Sequence, residues 1–390
     1  MRLVVVSHKP CWPSAGSPTG FGTDGGFPFQ MAALSELFDA TTLVLPRRAS
    51  PPPAGLRPLD GHRLSVRPLA EPPGRGIGRK LALAGWLPWQ LPRLWRELGR
   101  ADAVHAAVPG DVGALAVPLA LARRKPLFVR HCGTWGRPAT VADRLLHATL
   151  VRIAGGRNVV LATGGGGAPP EDGRPIDWIF ATSLTATQLA TLPRAETWQP
   201  GRPPRLVSVG RLTRGKNAAA TVRALAEVRR RYPGATLDLV GDGTELAPLR
   251  SLAGELRLAE AVTFHGNLEH SRVLARLASS HVFVFPTQVA EGFPKAVLEA
   301  MACGLPVVAP RVSVLPQLLA DGRGVLLDDT TPVAVAAAVL GLLDEPGVLA
   351  ATAEAARLHA RGFSLERWRD LIGARLEAAW GRSLKDGGSD

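Results

Sequence analysis

The sequence predicts an α/β protein built from two doubly wound parallel sheets. Its 390 residues exceed the usual size of a single domain and suit two. Short β-rich runs alternate with longer amphipathic patterns, which is typical of βα units on parallel sheets. The Pro- and Gly-rich stretch at residues 199–205 is followed by a new strand and is the expected linker. Sheets of this kind bind ligands beyond the carboxyl ends of their strands, so two that face each other would enclose an interdomain cleft.

The strands are identified as apolar runs that end in polar loop residues. In the first half they are expected at residues 3–7, 41–45, 103–107, 127–130, 159–162 and 178–182. In the second half they are expected at residues 206–209, 237–240, 262–264, 282–285, 306–309 and 324–327. The segments between them have helical periodicity. Within residues 217–231, for example, Val222, Leu225 and Val228 share one face, and charged side chains occupy the other.

The composition indicates a packed protein in a reducing compartment. Hydrophobic residues make up 46% of the chain and charged residues 20%, which excludes a disordered chain. The three cysteines are far apart and offer neither a disulfide framework nor a zinc-binding spacing. The first residues lack the apolar length of a signal peptide, and no run approaches the ~18 apolar residues of a membrane span. We expect a cytoplasmic protein that at most lies on the membrane surface.

The net charge of +13 is concentrated in the first half of the chain. Residues 1–197 contain 23 basic and 13 acidic residues, a net charge of +10, against 23 and 20, a net charge of +3, in residues 198–390. A strongly basic chain suggests a polyanionic partner. Nucleic acid is not expected, because aromatic residues make up only 5% of the chain and no recognised nucleic-acid module is present.

Residues 75–100 combine six cations and one acid with Trp86, Trp89 and Trp95. Basic residues interleaved with Trp and Leu suit a segment that lies on an anionic membrane. The alternative is a pair of Arg-rich helices that covers the core. Pro88 and Pro92 argue against a single long helix.

The most informative segment is EGFPKAVLEAMACGLPVVA, residues 291–309. A helix is expected to open near Pro294, which would place the amides of Gly292 and Phe293 at a helix N-terminus that attracts anions. Glu291 and Glu299 follow an E-x7-E spacing, and carboxylates there can accept hydrogen bonds from sugar or ribose hydroxyls. Taken alone, this spacing is common by chance and is better explained by two solvated glutamates on a helix surface.

A second cluster, VSVGRLTRGKN at residues 207–217, follows the first strand of the second half. The strand ends at Gly210, so Arg211 and Lys216 lie at the carboxyl edge of the sheet. Two fixed cations there would bind a diphosphate and stabilise the charge on a leaving nucleotide. The glycine-rich turns VGDG and FHGN, which contain Gly243 and His265, would let a base and ribose lie against the backbone. Each cluster alone is also compatible with ordinary surface loops.

In this order the motifs GRL-x-x-x-K, VGDG, FHGN and E-G-F-P-x-A-x-x-E resemble the retaining glycosyltransferases of family 4, which have the GT-B architecture. The match is dense from residue 206 to about 344 and weak in the first domain. Many relatives carry Asn-Gly-Val-Asp before the linker, where this chain reads LPRAETWQPGRPPR. Residues 363–380 are similar to the last helix of that family, which crosses back onto the first domain. The resemblance implies an acceptor-side domain at 1–198, a donor domain at 199–362 and a crossing segment at 363–390.

The resemblance also implies roles for individual residues of the second half. Arg211 and Lys216 would hold the donor diphosphate. Glu299 would bind the ribose hydroxyls, and Glu291 would hold the donor sugar together with the amides of Gly292 and Phe293.

In the first half the resemblance implies a glycine-rich loop and one histidine. The loop corresponds to Gly25 and Gly26, just before an amphipathic helix. The histidine corresponds to His131, which would face the donor sugar. His8 and His105 are expected to be structural loop residues.

The implied reaction moves a hexose-type sugar from a nucleotide sugar to an acceptor hydroxyl with retained configuration. UDP is favoured as the nucleotide by its frequency in the family. No Asp-x-Asp occurs in the chain, so we expect no metal and no other cofactor, with the two cations in place of the metal. The acceptor stays open as a glycan, a lipid-linked molecule or a small molecule, in cell-envelope, polysaccharide, glycolipid or natural-product glycosylation. The alternatives are a nucleotide-sugar-binding protein without catalysis, with a regulatory or assembly role, and a GT-B sugar-nucleotide epimerase.

Overall fold

The chain folds into two compact units in this computed structural model, which describes residues 1–53, 55–74, 76–138 and 140–384. At residues 76, 77, 80 and 81 it describes the backbone alone. The first unit comprises residues 1–183 together with the chain from Leu365 onward, and the second is Leu184–Ser364. Residues 385–390 of the predicted final segment lie outside the described residues.

The second unit begins before the predicted linker. Residues 184–198 were expected in the first domain, but they pack with the second. The Ala195 amide donates a hydrogen bond to the Cys303 carbonyl at 2.7 Å, and Trp198 is buried in the core of the second unit. The Pro- and Gly-rich stretch is therefore a surface loop of that unit.

Up to residue 183 the first unit alternates strands and helices. Its elements are β1 (Arg2–Ser7), β2 (Trp12–Pro13), β3 (Phe21–Thr23), α1 (Phe27–Ser35), β4 (Ala40–Arg47), β5 (Arg57–Pro58), β6 (Leu64–Ala70), α2 (Gly76–Arg100), β7 (Ala103–Val108), α3 (Asp111–Ala122), β8 (Leu127–His131), α4 (Val141–Ile153), β9 (Asn158–Thr163) and β10 (Ile176–Ile179).

Seven of these strands form one parallel sheet in the order β10-β9-β8-β7-β1-β4-β6. The helices α2, α3 and α4 share one hydrophobic core with the inner strands, through residues such as Leu94, Val112 and Leu150. Because the central strands are covered, they read in the sequence as continuous apolar runs. A separate small antiparallel sheet, β2-β3-β5, was not predicted.

The second unit repeats the doubly wound pattern. Its elements are α5 (Ala186–Thr191), β11 (Arg205–Val209), a 3₁₀ turn (Arg214–Lys216), α6 (Ala218–Arg231), β12 (Thr236–Val240), α7 (Leu246–Glu255), β13 (Val262–Gly266), α8 (His270–Ala278), β14 (Val282–Val284), α9 (Lys295–Ala302), β15 (Val307–Pro310), α10 (Leu315–Leu318), β16 (Val325–Leu327), α11 (Pro332–Asp344) and α12 (Pro346–Ala360). The parallel strands follow the order β13-β12-β11-β14-β15-β16.

The last helix, α13 (Leu365–Trp380), belongs to the first unit although it follows the second in the chain. It packs against α1 and β9. Trp368 is fully buried there, with the Arg130 guanidinium 5.0 Å from its ring. At the end of the helix the Trp380 indole donates to the Arg157 carbonyl at 3.1 Å.

The structure of helix α2 differs from the prediction for this segment. Pro88 and Pro92 were expected to divide this segment, but both lie inside one continuous helix of 25 residues. Each proline removes one N–H donor, and the carbonyls freed by this loss belong to residues 84 and 88. Both of those residues are exposed, so water can satisfy the carbonyls and the helix continues.

No single helix of the described chain is long and apolar enough to cross a membrane. One bent pair, Pro332–Asp344 and Pro346–Ala360, passes the same length and composition test only when its two helices are taken together.

Candidate active site

The predicted site residues of the second unit gather where the strand order of its sheet reverses. The strands β11 and β14 are neighbours in the sheet but are not consecutive in the chain. The loop after β11 carries Arg211 and Lys216, and the loop after β14 carries Glu291. A crevice at such a switch point is the usual ligand position of an open α/β sheet.

The loops after β11 and β12 pack backbone to backbone. The amide of Gly210 donates to the Val240 carbonyl at 3.0 Å, and the Leu212 amide donates to the Asp242 carbonyl at 2.9 Å. A Cβ at Gly243 would lie 2.2 Å from the Leu212 carbonyl oxygen, so only glycine fits there. Gly243 therefore positions the loop that carries Arg211.

Lys216 and Glu291 form an ion pair across the switch point. The Lys216 ammonium contacts a carboxylate oxygen of Glu291 and lies 4.8 Å from the centre of the Phe285 ring. The Lys216 side chain is 11% exposed. Burial, together with the nearby Arg211 guanidinium, lowers the pKa of Lys216 to about 8. The Glu291 carboxylate opposes this shift, because an adjacent negative charge favours the ammonium form.

Glu291 is fixed by its backbone as well as by its side chain. The Ser313 hydroxyl donates to the Glu291 carbonyl. The next two residues, Gly292 and Phe293, are buried and lead into α9, whose N-cap is Pro294. The predicted helix start is therefore confirmed to within one residue. The ring of Phe293 packs 5.8 Å from that of Phe363, so its side chain belongs to the core.

Glu299 lies in α9 and is 7% exposed. One of its carboxylate oxygens is 3.0 Å from Nε2 of His270, the first residue of α8. His270 was not among the predicted site residues. In the sequence it is only a histidine near the start of the helix that follows FHGN. The structure shows that it contacts Glu299, the residue predicted to bind the ribose.

His265, which was expected to bind the donor, contacts another residue of its own sheet. Its Nε2 is 2.6 Å from the carboxylate of Asp238 in the neighbouring strand β12. The same carboxylate is 3.8 Å from the Arg276 guanidinium. The structure therefore brings together Arg211, Lys216 and Glu291, and it gives His265 a contact within the sheet.

In the first unit, Gly25 and Gly26 lead into α1. Gly25 adopts the left-handed conformation with φ of +70°, and Gly26 is the N-cap of the helix. Directly before them, Asp24 forms an ion pair with Lys9, which follows β1. This loop therefore lies near the carboxyl end of β1.

His131 is the last residue of β8. Its Nδ1 is 3.3 Å from the Gly133 carbonyl, and its ring meets the Trp135 ring edge-on at 5.2 Å. Burial lowers the pKa of His131, so the imidazole is neutral at pH 7. His105, in contrast, is fully buried in β7, with Nδ1 3.0 Å from the Phe128 carbonyl, and is structural as expected, although it lies in a strand and not in a loop.

The described residues form no evident metal site. They contain no group of three or more His, Cys, Asp or Glu side chains arranged to hold a metal ion. The positive charge at the switch point comes from Arg211 and Lys216.

Comparison with known proteins identifies the second unit. Residues 193–359 match the family described as glycosyl transferases group 1. A GDP-mannose-dependent alpha-(1-6)-phosphatidylinositol monomannoside mannosyltransferase of Mycolicibacterium smegmatis is 36% identical over 184 residues, which are 45% of this chain and 47% of that protein. A glycogen synthase of Mycobacterium tuberculosis is 35% identical over 156 residues, which are 40% of this chain and 37% of that enzyme. The alignments thus span about half, or less, of the length of these relatives.

Comparison with solved structures covers nearly the whole chain. HepE of Anabaena, solved in complex with UDP and glucose, has a TM-score of 0.69 at 17% identity, covering 97% of this chain and 99% of that one. This likeness confirms the predicted fold class, two parallel-sheet α/β domains of the GT-B type. The match to the glycosyl transferases group 1 family covers residues 193–359, which lie within the second unit.

Proposed function

We propose that the protein is a retaining glycosyltransferase that moves a hexose-type sugar from a nucleotide sugar, preferably a UDP-sugar, to an acceptor hydroxyl. The observation that carries the proposal is the Lys216–Glu291 ion pair at the switch point, with Arg211 beside it. Two cations and one carboxylate in one crevice support a site that holds a diphosphate and a sugar side by side. HepE, with the same fold, was solved with UDP and glucose.

The chemistry follows from the charges of these side chains. As the C1–O bond to the diphosphate breaks, its electron pair leaves with the nucleoside diphosphate, and Lys216 and Arg211 stabilise the growing negative charge. The acceptor oxygen forms the new C1–O bond on the same face of the sugar. The acceptor proton passes to the leaving phosphate, so no separate protein base is required. Glu291 accepts hydrogen bonds from sugar hydroxyls and does not form a covalent intermediate.

The donor ribose is assigned to Glu299. Its carboxylate accepts hydrogen bonds only, which suits a pair of ribose hydroxyls. His270 contacts one of its oxygens at 3.0 Å and helps to orient the carboxylate. The glycine-rich turns at Gly210 and Gly243 follow β11 and β12 at the carboxyl edge of the same sheet. No metal is part of the proposal, because two fixed cations supply the positive charge, and EDTA should leave the rate unchanged.

The experiment that tests the function is a thermal-shift panel of UDP- and GDP-sugars, followed by release of free nucleotide from the best ligand. A ligand at a hundredfold its dissociation constant adds about 2.7 kcal/mol of stability. Stabilisation with slow donor hydrolysis supports the transferase. Stabilisation without any hydrolysis supports the non-catalytic binding protein, and a new sugar nucleotide as product supports the epimerase. No stabilisation by any sugar nucleotide refutes the proposal.

We further propose a cytoplasmic location and a role in glycolipid, polysaccharide, natural-product or other cell-envelope glycosylation. The three cysteines are free and Cys132 is exposed, which fits a reducing compartment. The relative from Mycolicibacterium smegmatis acts on a phosphatidylinositol mannoside.

Peripheral contact with an anionic membrane is the second proposal, and it depends on the outer face of α2. Trp89 is 78% exposed there, and Arg93 and Arg96 are exposed beside it. Trp86, in contrast, is 6% exposed and donates to the Ala70 carbonyl at 2.8 Å, so it belongs to the core. Arg75 lies outside the described residues. An aromatic ring flanked by cations on a solvent-facing helix suits an anionic interface.

Sedimentation with liposomes that contain anionic lipid tests the contact. We expect binding at low salt that falls as salt is added, because the cations are screened. Trp89→Ser with Arg96→Glu should abolish it. Val333→Ser, which changes a comparably exposed residue of the second unit, should not. Binding that is unaffected by the double substitution would refute the assignment to α2.

A further inference from the structure

A pocket lies at the carboxyl end of β4 in the first unit, where the chain enters the loop before β5. Its volume is about 530 Å³, which is within the range of about 300–1,000 Å³ that small-molecule sites occupy. Strands β1 and β7 separate β4 from β8, so at about 4.8 Å per strand the pocket lies about 14 Å from the strand end that carries His131. The lining side chains that matter are those of Trp12, Arg47, Arg48, Ser50, Pro51 and Pro52.

The base of the pocket is held by backbone and indole hydrogen bonds. The segment after β1 pairs with the end of β4, because the Cys11 amide donates to the Pro46 carbonyl at 2.8 Å and the Arg48 amide donates to the Cys11 carbonyl at 2.9 Å. The buried indole of Trp12 donates to the Ser50 carbonyl at 3.0 Å, which ties the proline-containing loop to this base. A pocket formed before the ligand arrives reduces the ordering cost of binding.

Arg48 presents a guanidinium whose orientation is fixed. Its Nε and Nη2 both donate to one carboxylate oxygen of Glu71, at 2.9 and 2.7 Å. The guanidinium carbon lies 5.6 Å from the centre of the Trp12 ring. Both hydrogen bonds use the same edge of the guanidinium, so the Nη1 side can donate to a ligand.

Arg47 supplies positive charge that the neighbouring acids do not neutralise. Lys9 pairs with Asp24, and Arg48 pairs with Glu71. Within the described part of the chain, no carboxylate forms an ion pair with Arg47, which is exposed, and no acidic side chain lines the pocket. Residues 1–197 also carry a net charge of +10, which attracts anions to this half of the chain from a distance. The pocket therefore favours an anionic ligand.

The rest of the lining suits a sugar ring. Pro51 and Pro52 are exposed, and their rings offer apolar surface to the C–H faces of a pyranose. The Ser50 hydroxyl can both donate to and accept from sugar hydroxyls. Guanidinium groups bind carboxylates and phosphates through parallel N–H bonds. A free inorganic anion would use only the two cations, whereas a charged sugar would use the whole lining.

We propose that this pocket binds an anionic carbohydrate, a sugar residue that carries a carboxylate or a phosphate. Arg47 and the Nη1 side of Arg48 hold the anionic group, and Ser50, Pro51 and Pro52 contact the ring. The two cations make an acidic sugar bind in preference to a neutral one. Because all of these residues belong to the first unit, such binding does not depend on the proposed transferase function, whose donor residues lie in the second.

Saturation-transfer NMR with D-glucuronate, D-glucose 6-phosphate and D-glucose tests the pocket. We expect saturable binding of at least one of the two anionic sugars, about tenfold or more tighter than that of glucose and weaker as salt is added. Arg47→Ala should weaken binding of the anionic sugar about tenfold, because it removes one charge-assisted hydrogen bond. Arg152→Gln is the matched control, because it removes an exposed cation in the last turn of α4 and should bind as the wild type does.

Three results overturn the proposal: no saturable signal from either anionic sugar, equal binding of glucose, or equal binding by wild type and Arg47→Ala. Inorganic phosphate that competes as tightly as glucose 6-phosphate binds would also overturn it, because the anion alone would then be recognised. A signal that persists in Arg47→Ala but is lost in Lys216→Ala would assign the anion to the second unit instead.

Two further measurements make these results decisive. Melting temperatures show whether Arg47→Ala is folded, and we expect no loss, because Arg47 is exposed and has no ion pair to lose among the described residues. Thermal stabilisation by UDP is measured on the same samples, because it depends on the second unit. Binding of the anionic sugar without any effect of UDP would support the pocket and refute the transferase, and a response to UDP without sugar binding would do the reverse.

Discussion

Replacing Lys216 by alanine should lower turnover far more than it weakens donor binding. The ammonium is largely buried, so an effective dielectric constant of about 20 applies, and a unit charge at about 4 Å then contributes about 4 kcal/mol. Much of this interaction grows only as the diphosphate leaves, because the bridging oxygen gains its charge in the transition state. Losing one preorganised donor of this kind costs about 10²–10³ in turnover. We therefore expect kcat to fall about 100- to 1000-fold and KM to change less than about tenfold.

The assay is release of free nucleotide from the sugar nucleotide that stabilises the protein most. Lys216→Arg keeps the charge and should retain more activity than Lys216→Ala. Arg230→Ala removes an exposed cation of the same unit and should leave the rate unchanged. Melting temperatures of the variants confirm that they are folded. A folded Lys216→Ala protein with the wild-type rate would refute the assignment of Lys216 to the leaving group.

Three further substitutions follow from other contacts. His270→Leu should raise the donor KM about tenfold and leave kcat nearly unchanged, because Glu299 loses the partner that orients it. His281 accepts a hydrogen bond from the Arg205 amide at 2.9 Å, and burial lowers its pKa to about 4, so between about pH 6.5 and 4 the unfolded chain binds a proton that the folded protein does not. The free energy of unfolding should have its full value above pH 6.5 and should fall between about pH 6.5 and 4. His281→Asn should make the free energy of unfolding, measured by urea titration, less dependent on pH in that range. Gly243→Ala should cost about 2 kcal/mol or more, because its Cβ would meet a backbone oxygen at 2.2 Å.

Each of these three has its own control. His270→Leu tests the orientation of the Glu299 carboxylate only if the melting temperature of the protein is unchanged. An unaltered donor KM would show that Glu299 is held by other contacts. An unchanged pH slope in His281→Asn would assign the acid sensitivity to other groups. For Gly243 the control is Gly254→Ala in α7, where a Cβ meets no atom within 4 Å. Because alanine favours the helix over glycine, this substitution should raise the free energy of unfolding by up to about 1 kcal/mol. Equal stability of the two alanine variants would contradict the steric argument.

The fold could be predicted because buried parallel strands read as apolar runs. The edge strand β6 escaped detection because it carries Arg67 and Pro68 and buries only Val66 and Leu69. Such a strand has no continuous apolar signal, and proline is tolerated at a sheet edge. Helix α2 was read as two segments for the related reason that Pro88 and Pro92 lie on its exposed side, where the lost hydrogen bonds go to water.

The positions of the site residues could also be predicted, but their pairings could not. Motifs place Lys216 and Glu291 at the carboxyl edge of the sheet, and the resemblance gives each a separate role. Their contact joins residues 75 positions apart, and that of His270 with Glu299 joins residues 29 apart. Both depend on how the strands are ordered. Sequence spacing does not contain that information, because β11 and β14 become neighbours only when the sheet forms.

The Lys216–Glu291 contact has a consequence for how the donor binds. In the structure each charge compensates the other, so a diphosphate that attracts Lys216 leaves the Glu291 carboxylate without its cation. A carboxylate in a partly buried position then needs new hydrogen bonds, and the hydroxyls of the donor sugar supply them. UDP alone cannot, because it lacks the sugar. The complete donor should therefore bind more tightly than UDP, and Glu291→Gln, which removes the charge that UDP leaves unpaired, should narrow that difference. In the proposed reaction we expect the same imbalance to favour release of the nucleotide after transfer, so that the ion pair would select the intact donor and then form again in the empty site.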